Sequence, residues 1–230
     1  MVRNQLIPTA EILWQQFVER HIALLVRALE LLFEKKEEHA LLEKDENSIS
    51  EILSVFLKKA EKEFIEHRDM KFHWELPIFP RDLTELTGGN PKKPDFTAIC
   101  PPIRPGRRDN YEIPLHVECK KLGKDRATSR KYVKEGILRF DCAAHQYGRG
   151  ANHGIMVAYL VSGQLEEVQN DVNSYIAEHS PSHNYLKLIF HCNPIAKDEA
   201  QFERDHVQPN SFVLVHIWVQ LDFNPASFFG

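Results

Sequence analysis

Asp95 stands at the head of a short strand-forming run, Phe96 to Cys100, and Glu118 and Lys120 close another run that begins at Ile113. Side chains alternate along a strand, so Glu118 and Lys120 share one face. Val117 and Cys119 share the other, where they can pack against a helix. If the two runs pair as a hairpin with a long loop, Asp95 lies beside Glu118. Two carboxylates that close repel each other, and a divalent cation relieves the repulsion. Hard oxygen donors with open positions suit Mg2+, which keeps waters and takes phosphate oxygens as further ligands. Such an ion lowers the pKa of a bound water and offsets the charge of a phosphorane-like transition state. Lys120 would hold that water or the scissile phosphate as a compact cation. The competing reading is an ordinary Glu118–Lys120 pair on an exposed face; Val117 and Cys119 weigh against it, because they imply a half-buried strand.

The surroundings are basic although the chain is not. Net charge is −4, yet between Lys92 and Arg139 there are 13 Lys/Arg against six Asp/Glu. A local patch, rather than the total, sets the field that a phosphate backbone meets. Lys121, Lys124, Arg126, Arg130, Lys131, Lys134 and Arg139 all follow Lys120 within twenty residues. Contacts from the first six to phosphates would position a duplex without reading its sequence. The plainer alternative is a solvated helix face. Tyr132, Tyr147, Arg149 and His145 add less, since each alone is more often a boundary residue. Of the 12 histidines, His116 falls on the same strand face as Glu118 and borders the site. The others lack metal-ligand spacing and read as packed or solvated side chains.

These groups need elements to hold them. Thr9 is placed to cap a helix whose apolar residues include Leu13, Phe17, Leu24, Leu25, Ala28, Leu29, Leu32 and Phe33. That stripe is wider than one domain face requires, which predicts burial against a second chain, a symmetry mate or a regulatory subunit. Burial within the same chain is the alternative. A turn or linker spans Glu34 to Asn47. A second helix is expected from Ser48 or Ser50 to His67, with Ile49, Ile52, Leu53, Phe56, Leu57, Ala60, Phe64 and Ile65 inward. Strands follow at Lys71–Phe79, Phe96–Cys100 and Ile113–Cys119, with loops at Thr87–Pro91 and Arg104–Asp109. A basic helix covers Ala127–His145. Ile155–Val161 reads as a strand buried on both faces, Leu165–Glu178 as a helix, and Leu186–Cys192 and Phe212–Leu221 as further strands. The order predicts a mixed sheet flanked by helices.

With 230 residues, 43% of them hydrophobic, the chain can build a real core, and disordered or collagenous classes are excluded. Cys100, Cys119, Cys142 and Cys192 stand far apart, which argues against a disulfide framework or zinc ribbon and favours a reducing, cytoplasmic setting. No apolar run approaches a membrane span, and no signal peptide is evident at Met1.

Pro94, Asp95, Glu118 and Lys120, in the order helix–strand–strand–strand–helix–strand from Ser48 to Val161, resemble the PD-(D/E)XK nuclease superfamily. The resemblance implies an α/β chain with a restriction-endonuclease-like mixed β-sheet flanked by helices. Residues 1–47 would be an N-terminal helical extension and 48–230 the nuclease-like domain. It implies Asp95 and Glu118 as metal ligands, the Cys119 carbonyl as a further ligand, Lys120 as catalytic, and Mg2+ (or Mn2+) as cofactor. The family's preceding helix often lends another acid, for which Glu51, Glu61 and Glu63 are candidates. Gln146-Tyr147 lacks the Q-x-x-x-Y spacing of exonuclease-like members. The implied activity is phosphodiester hydrolysis by an endonuclease on double-stranded DNA. By analogy the chain would be the effector subunit of a bacterial restriction or anti-phage defence system. Two rivals stand beside it: a catalytically silent nucleic-acid-binding or assembly subunit of the same fold, and an interaction protein working through the first helix.

Overall fold

Among the described residues, three of the four α-helices open on a residue whose side chain satisfies an otherwise unpaired N–H. The computed structural model describes residues 9–64, 71–75, 93–100, 113–179 and 182–223. Thr9 caps α1 (Ala10–Glu34), accepting the Ile12 N–H at 3.3 Å. Asp45 caps α2 (Glu46–Glu63), accepting the Ser48 N–H at 2.7 Å. The second helix therefore starts two residues earlier than Ser48, and it ends at Glu63 with Phe64 as its C-cap rather than at His67. Asp125 caps α3 (Arg126–Lys134) through the Ala127 N–H. This helix is shorter than the expected Ala127–His145. The chain turns at Glu135–Gly136 and continues as a 3-10 turn over Ile137–Asp141. Gly136 sits so close to the Met156 side chain and the Tyr132 carbonyl that an added Cβ would lie 2.5 Å from each. The fourth helix is α4 (Leu165–His179).

Among the described residues seven strands form one open sheet: β1 (His73–Trp74), β2 (Phe96–Cys100), β3 (Ile113–Leu122), β4 (His153–Leu160), β5 (Lys187–Cys192), β6 (Ile195–Glu203) and β7 (Ser211–Gln220). Their order is β1-β2-β3-β4-β7-β6-β5. β3, β4 and β7 run parallel, and the remaining pairs are antiparallel. The result is a mixed α/β fold with a mostly antiparallel sheet. β4, between two parallel neighbours, is buried at all eight residues, as its apolar run predicts. Of the expected strand Lys71–Phe79 only His73–Trp74 is seen as strand; residues 76–79, with the loops Thr87–Pro91 and Arg104–Asp109 and Ile65–His67, lie outside the described residues. β6 is a strand that sequence patterning does not reveal.

The sheet separates two cores. On one face α1 and α2 cover Phe96, Ala98, Val117, Cys119, Ile155, Val157, Ile217 and Val219. On the other, α3 and α4 cover Met156, Ala158, Leu160, Leu214 and Trp218. Leu24, Leu25, Ala28, Leu29 and Leu32 of α1 are fully buried within this single chain. The wide apolar stripe that argued for a second chain is thus this chain's own core. The exposed apolar side chains concentrate instead around β5, at Tyr185, Leu188, Ile189 and Phe190. Among the described residues no helix is long and apolar enough to cross a membrane.

Candidate active site

The β2–β3 register pairs Phe96 with Val117 and Thr97 with His116. Continued by one residue, that antiparallel register sets Asp95 opposite Glu118, on the face where side chains of Thr97, His116 and Lys120 also lie. Asp95 Oδ2 accepts the Cys119 N–H at 2.6 Å, tying the head of β2 to the site end of β3. The carboxylate juxtaposition expected from sequence is therefore present. Glu118 is 1% exposed and Lys120 7%, so the pair is not a solvated surface pair.

Lys120 Nζ donates to Glu118 Oε1 at 2.7 Å, to the Cys119 carbonyl at 2.8 Å and to Glu46 Oε1 at 2.8 Å. Glu46 is the acid that α2 brings, and sequence reasoning missed it. It sits in the first turn, where a carboxylate is favoured by the helix dipole, but its neighbours in sequence give it the look of a charged linker. The candidates expected from sequence stand elsewhere: Glu63 pairs with Arg27 at 2.7 Å, Glu61 accepts the Phe72 N–H at 3.3 Å, and Glu51 is exposed. Two contacts lock Glu46 into reach. Ser50 Oγ and Tyr159 Oη are 3.0 Å apart, pinning α2 to β4. Glu46 Oε2 also accepts the Lys121 N–H at 3.0 Å.

A second cation converges on Glu118. Arg139, from the 3-10 turn, donates Nη1 to the same Oε1 that Lys120 uses. Oε2 of Glu118 is buried and has no hydrogen-bond partner among the described residues. Burial and the neighbouring Asp95 charge push the Glu118 carboxyl up to about 7, against the opposing pull of Lys120 and Arg139. Asp95 is also raised, chiefly by burial. Burial works against the charge of Lys120, but Glu118 and Glu46 outweigh it and hold the ammonium protonated.

The wall behind these groups is the loop from Phe140 to Ala151. Tyr147 is 1% exposed and donates its hydroxyl to the Lys93 carbonyl at 2.9 Å, beside Pro94 and Asp95. His116 Nδ1 accepts the Gly148 N–H at 3.0 Å, and burial depresses its pKa to about 3, so it is a neutral loop anchor. Arg204, fully buried, donates to the carbonyls of Phe140, Tyr147, Gly148, Ala151 and Pro209. A lone arginine in a polar loop gives no sequence signal for that role.

The basic residues divide by surroundings. Lys121 Nζ donates to the carbonyls of Leu42 and Lys44, and Arg126 pairs with Asp171 at 3.1 Å. Lys124, Arg130, Lys131 and Lys134 are exposed.

Among the described residues no three His, Cys, Asp or Glu side chains are gathered as a metal cage. The donor set here is of another kind: the two facing carboxylates of Asp95 and Glu118 and a main-chain carbonyl at Cys119, while Glu46 is spent on Lys120 and the Lys121 N–H. The unpartnered Oε2 of Glu118 fits a hard divalent cation, for which oxygen donors and open positions are the requirement. Comparison with family models, curated proteins and solved structures gave no match. What fold and site define is a mixed α/β protein with a buried carboxylate pair, two cations and a helix-borne acid.

Proposed function

We propose that the chain is a metal-dependent nuclease of the PD-(D/E)XK kind, hydrolysing phosphodiester bonds in DNA as an endonuclease. The observation that carries this reading is the facing of Asp95 and Glu118 beside Lys120, with Glu118 Oε2 left unpartnered in a buried position. The order α2, β1, β2, β3, α3, β4 and an acid from the preceding helix support it. Asp95, Glu118 and the Cys119 carbonyl would hold Mg2+ or Mn2+. A divalent ion there supplies positive charge to the phosphate and acidity to a water. The chain's own residues do the rest. Glu46 and Lys120 fix Glu118 against α2, and the Cys119 N–H fixes Asp95. Arg204 and Tyr147 hold the loop that walls the site. Hydrolysis joins a water oxygen to phosphorus and breaks a P–O ester bond, with the water's proton passing to the departing oxygen.

One observation favours a second reading, a catalytically silent nucleic-acid-binding subunit. The three protons of Lys120 are all committed to acceptors within the protein, as in a closed structural ion-pair network. Incubation of duplex DNA, single-stranded DNA and RNA with the chain in Mg2+ or Mn2+ separates the two. Metal-dependent cleavage of DNA supports the nuclease; binding without cleavage of any substrate supports the silent subunit.

A further inference from the structure

Two cations meet at one oxygen of Glu118, and they are not equivalent. The Lys120 side chain is 9% exposed and its ammonium has three protons for three acceptors, Glu46, Glu118 and the Cys119 carbonyl. The Arg139 side chain is 28% exposed and reaches the same Oε1 from the 3-10 turn. A guanidinium carries five N–H groups in a planar fork. One N–H can stay on a carboxylate while another takes a phosphate oxygen, whereas an ammonium spent within the protein has none to give.

Resting on the nuclease reading, we propose that Arg139 is the group that grips the scissile phosphate. Lys120 is then a positioning residue that fixes Glu118, the Cys119 carbonyl and the start of α2. This departs from the role that the family resemblance gives Lys120. The setting of Arg139 suits the task. The Phe140 carbonyl, next in the chain, is held by the buried Arg204 guanidinium, so the arginine is delivered from a fixed turn. Donors fixed in advance where charge grows on the non-bridging oxygens lower the barrier without reorganising.

The test compares the full chain with Arg139→Met, Arg139→Lys and Lys120→Met, after thermal unfolding shows each to be folded. Mn2+ affinity is read by paramagnetic resonance without DNA. Affinity for a short DNA duplex is read by fluorescence anisotropy in Ca2+, with gels checking that it stays intact, and kcat is read in Mg2+. Arg139→Met should bind Mn2+ within about threefold of wild type, lose at least tenfold in duplex affinity and lose about a hundredfold in kcat. Added guanidinium ion should restore part of both losses, and Arg139→Lys should fall between. Lys120→Met should lose at least tenfold in Mn2+ affinity; should it not fold, Glu46→Gln, which takes the charge from one Lys120 acceptor, reports in its place with the same direction. Unchanged duplex affinity and kcat in Arg139→Met overturn the proposal. So does a loss that tracks Mn2+ affinity and ignores guanidinium, which would make Arg139 merely an orienter of Glu118. If the wild type cleaves nothing, the nuclease reading fails by itself. The duplex-affinity arm then decides Arg139 alone: a guanidinium-rescued loss keeps it as a phosphate grip, and no loss ends it.

Discussion

Glu46 and Lys120, 74 residues apart in sequence, form a 2.8 Å ion pair that joins the first turn of α2 to the site end of β3. The Lys120 side chain is 9% exposed and that of Glu46 31%, so the pair is shielded on one side only. Glu46→Gln leaves a buried ammonium with a weaker partner. The expected cost is about 1–2 kcal/mol of stability, below that of breaking a fully buried pair. A larger fall is expected in divalent-cation affinity, because Glu118 loses its support from α2. Chemical denaturation and Mn2+ titration of the same preparation check both.

The Glu118 carboxyl carries a pH signature. Its pKa is about 7 in the folded chain against 4.5 ordinarily, so between those values the folded form keeps a proton that the unfolded form releases. Stability is therefore penalised as pH rises through this window, and the penalty is complete above 7. Glu118→Gln resembles the protonated acid and removes this pH dependence. Relative to wild type, the variant should gain roughly 3 kcal/mol in metal-free buffer between pH 4.5 and pH 8. Urea unfolding at several pH values measures it; a flat difference would mean that Glu118 is ionised throughout.

The placement of α1 makes a separate prediction. Leu29 is fully buried between α1 and the rest of its own chain. Leu29→Ala should destabilise the protein by roughly 2–5 kcal/mol and leave its mass by light scattering unchanged. Dissociation of a larger complex without loss of stability would show instead that α1 serves an interface.

On α3, Arg130 and Lys134 are exposed one helical turn apart, whereas Arg126 is engaged by Asp171 and lies over the Tyr175 ring. Reversing Arg130 and Lys134 to Glu should weaken duplex binding across all sequences. It should also reduce the log–log salt slope by roughly 0.9 for each phosphate that the variant no longer neutralises. An unchanged slope would put the phosphate-bearing surface elsewhere.

Much of this arrangement was legible because β2 and β3 are strand-forming runs in which period-two alternation fixes which side chains share a face. β6 was not, although its burial alternates cleanly. Asp198 stands at one of its inward positions, where its Oδ2 accepts from Trp218 and Gln169 of other elements. A strand that buries an aspartate reads as a charged loop until its partners are known. Glu46 was hidden for a related reason. The Lys44–Asn47 cluster looks like a linker, and only the Asp45 cap and the Ser50–Tyr159 contact turn it into a helix start aimed at Lys120. The α1 stripe misled in the opposite sense: a helix lying on a sheet beside another helix is covered on two sides, and so tolerates a wider apolar arc than a helix with one packed face.

If Asp95 and Glu118 hold a divalent cation for phosphodiester hydrolysis, the chain nicks DNA only when that cation is supplied. Conversion of supercoiled plasmid to nicked and linear forms in Mg2+ tests this most directly, with wild type and Glu118→Ala purified identically and EDTA as control. Metal-dependent nicking by wild type is expected, with a fall of at least a hundredfold in the variant while its folded state is retained. Equal nicking by the two proteins, or none by wild type in either Mg2+ or Mn2+, would contradict it.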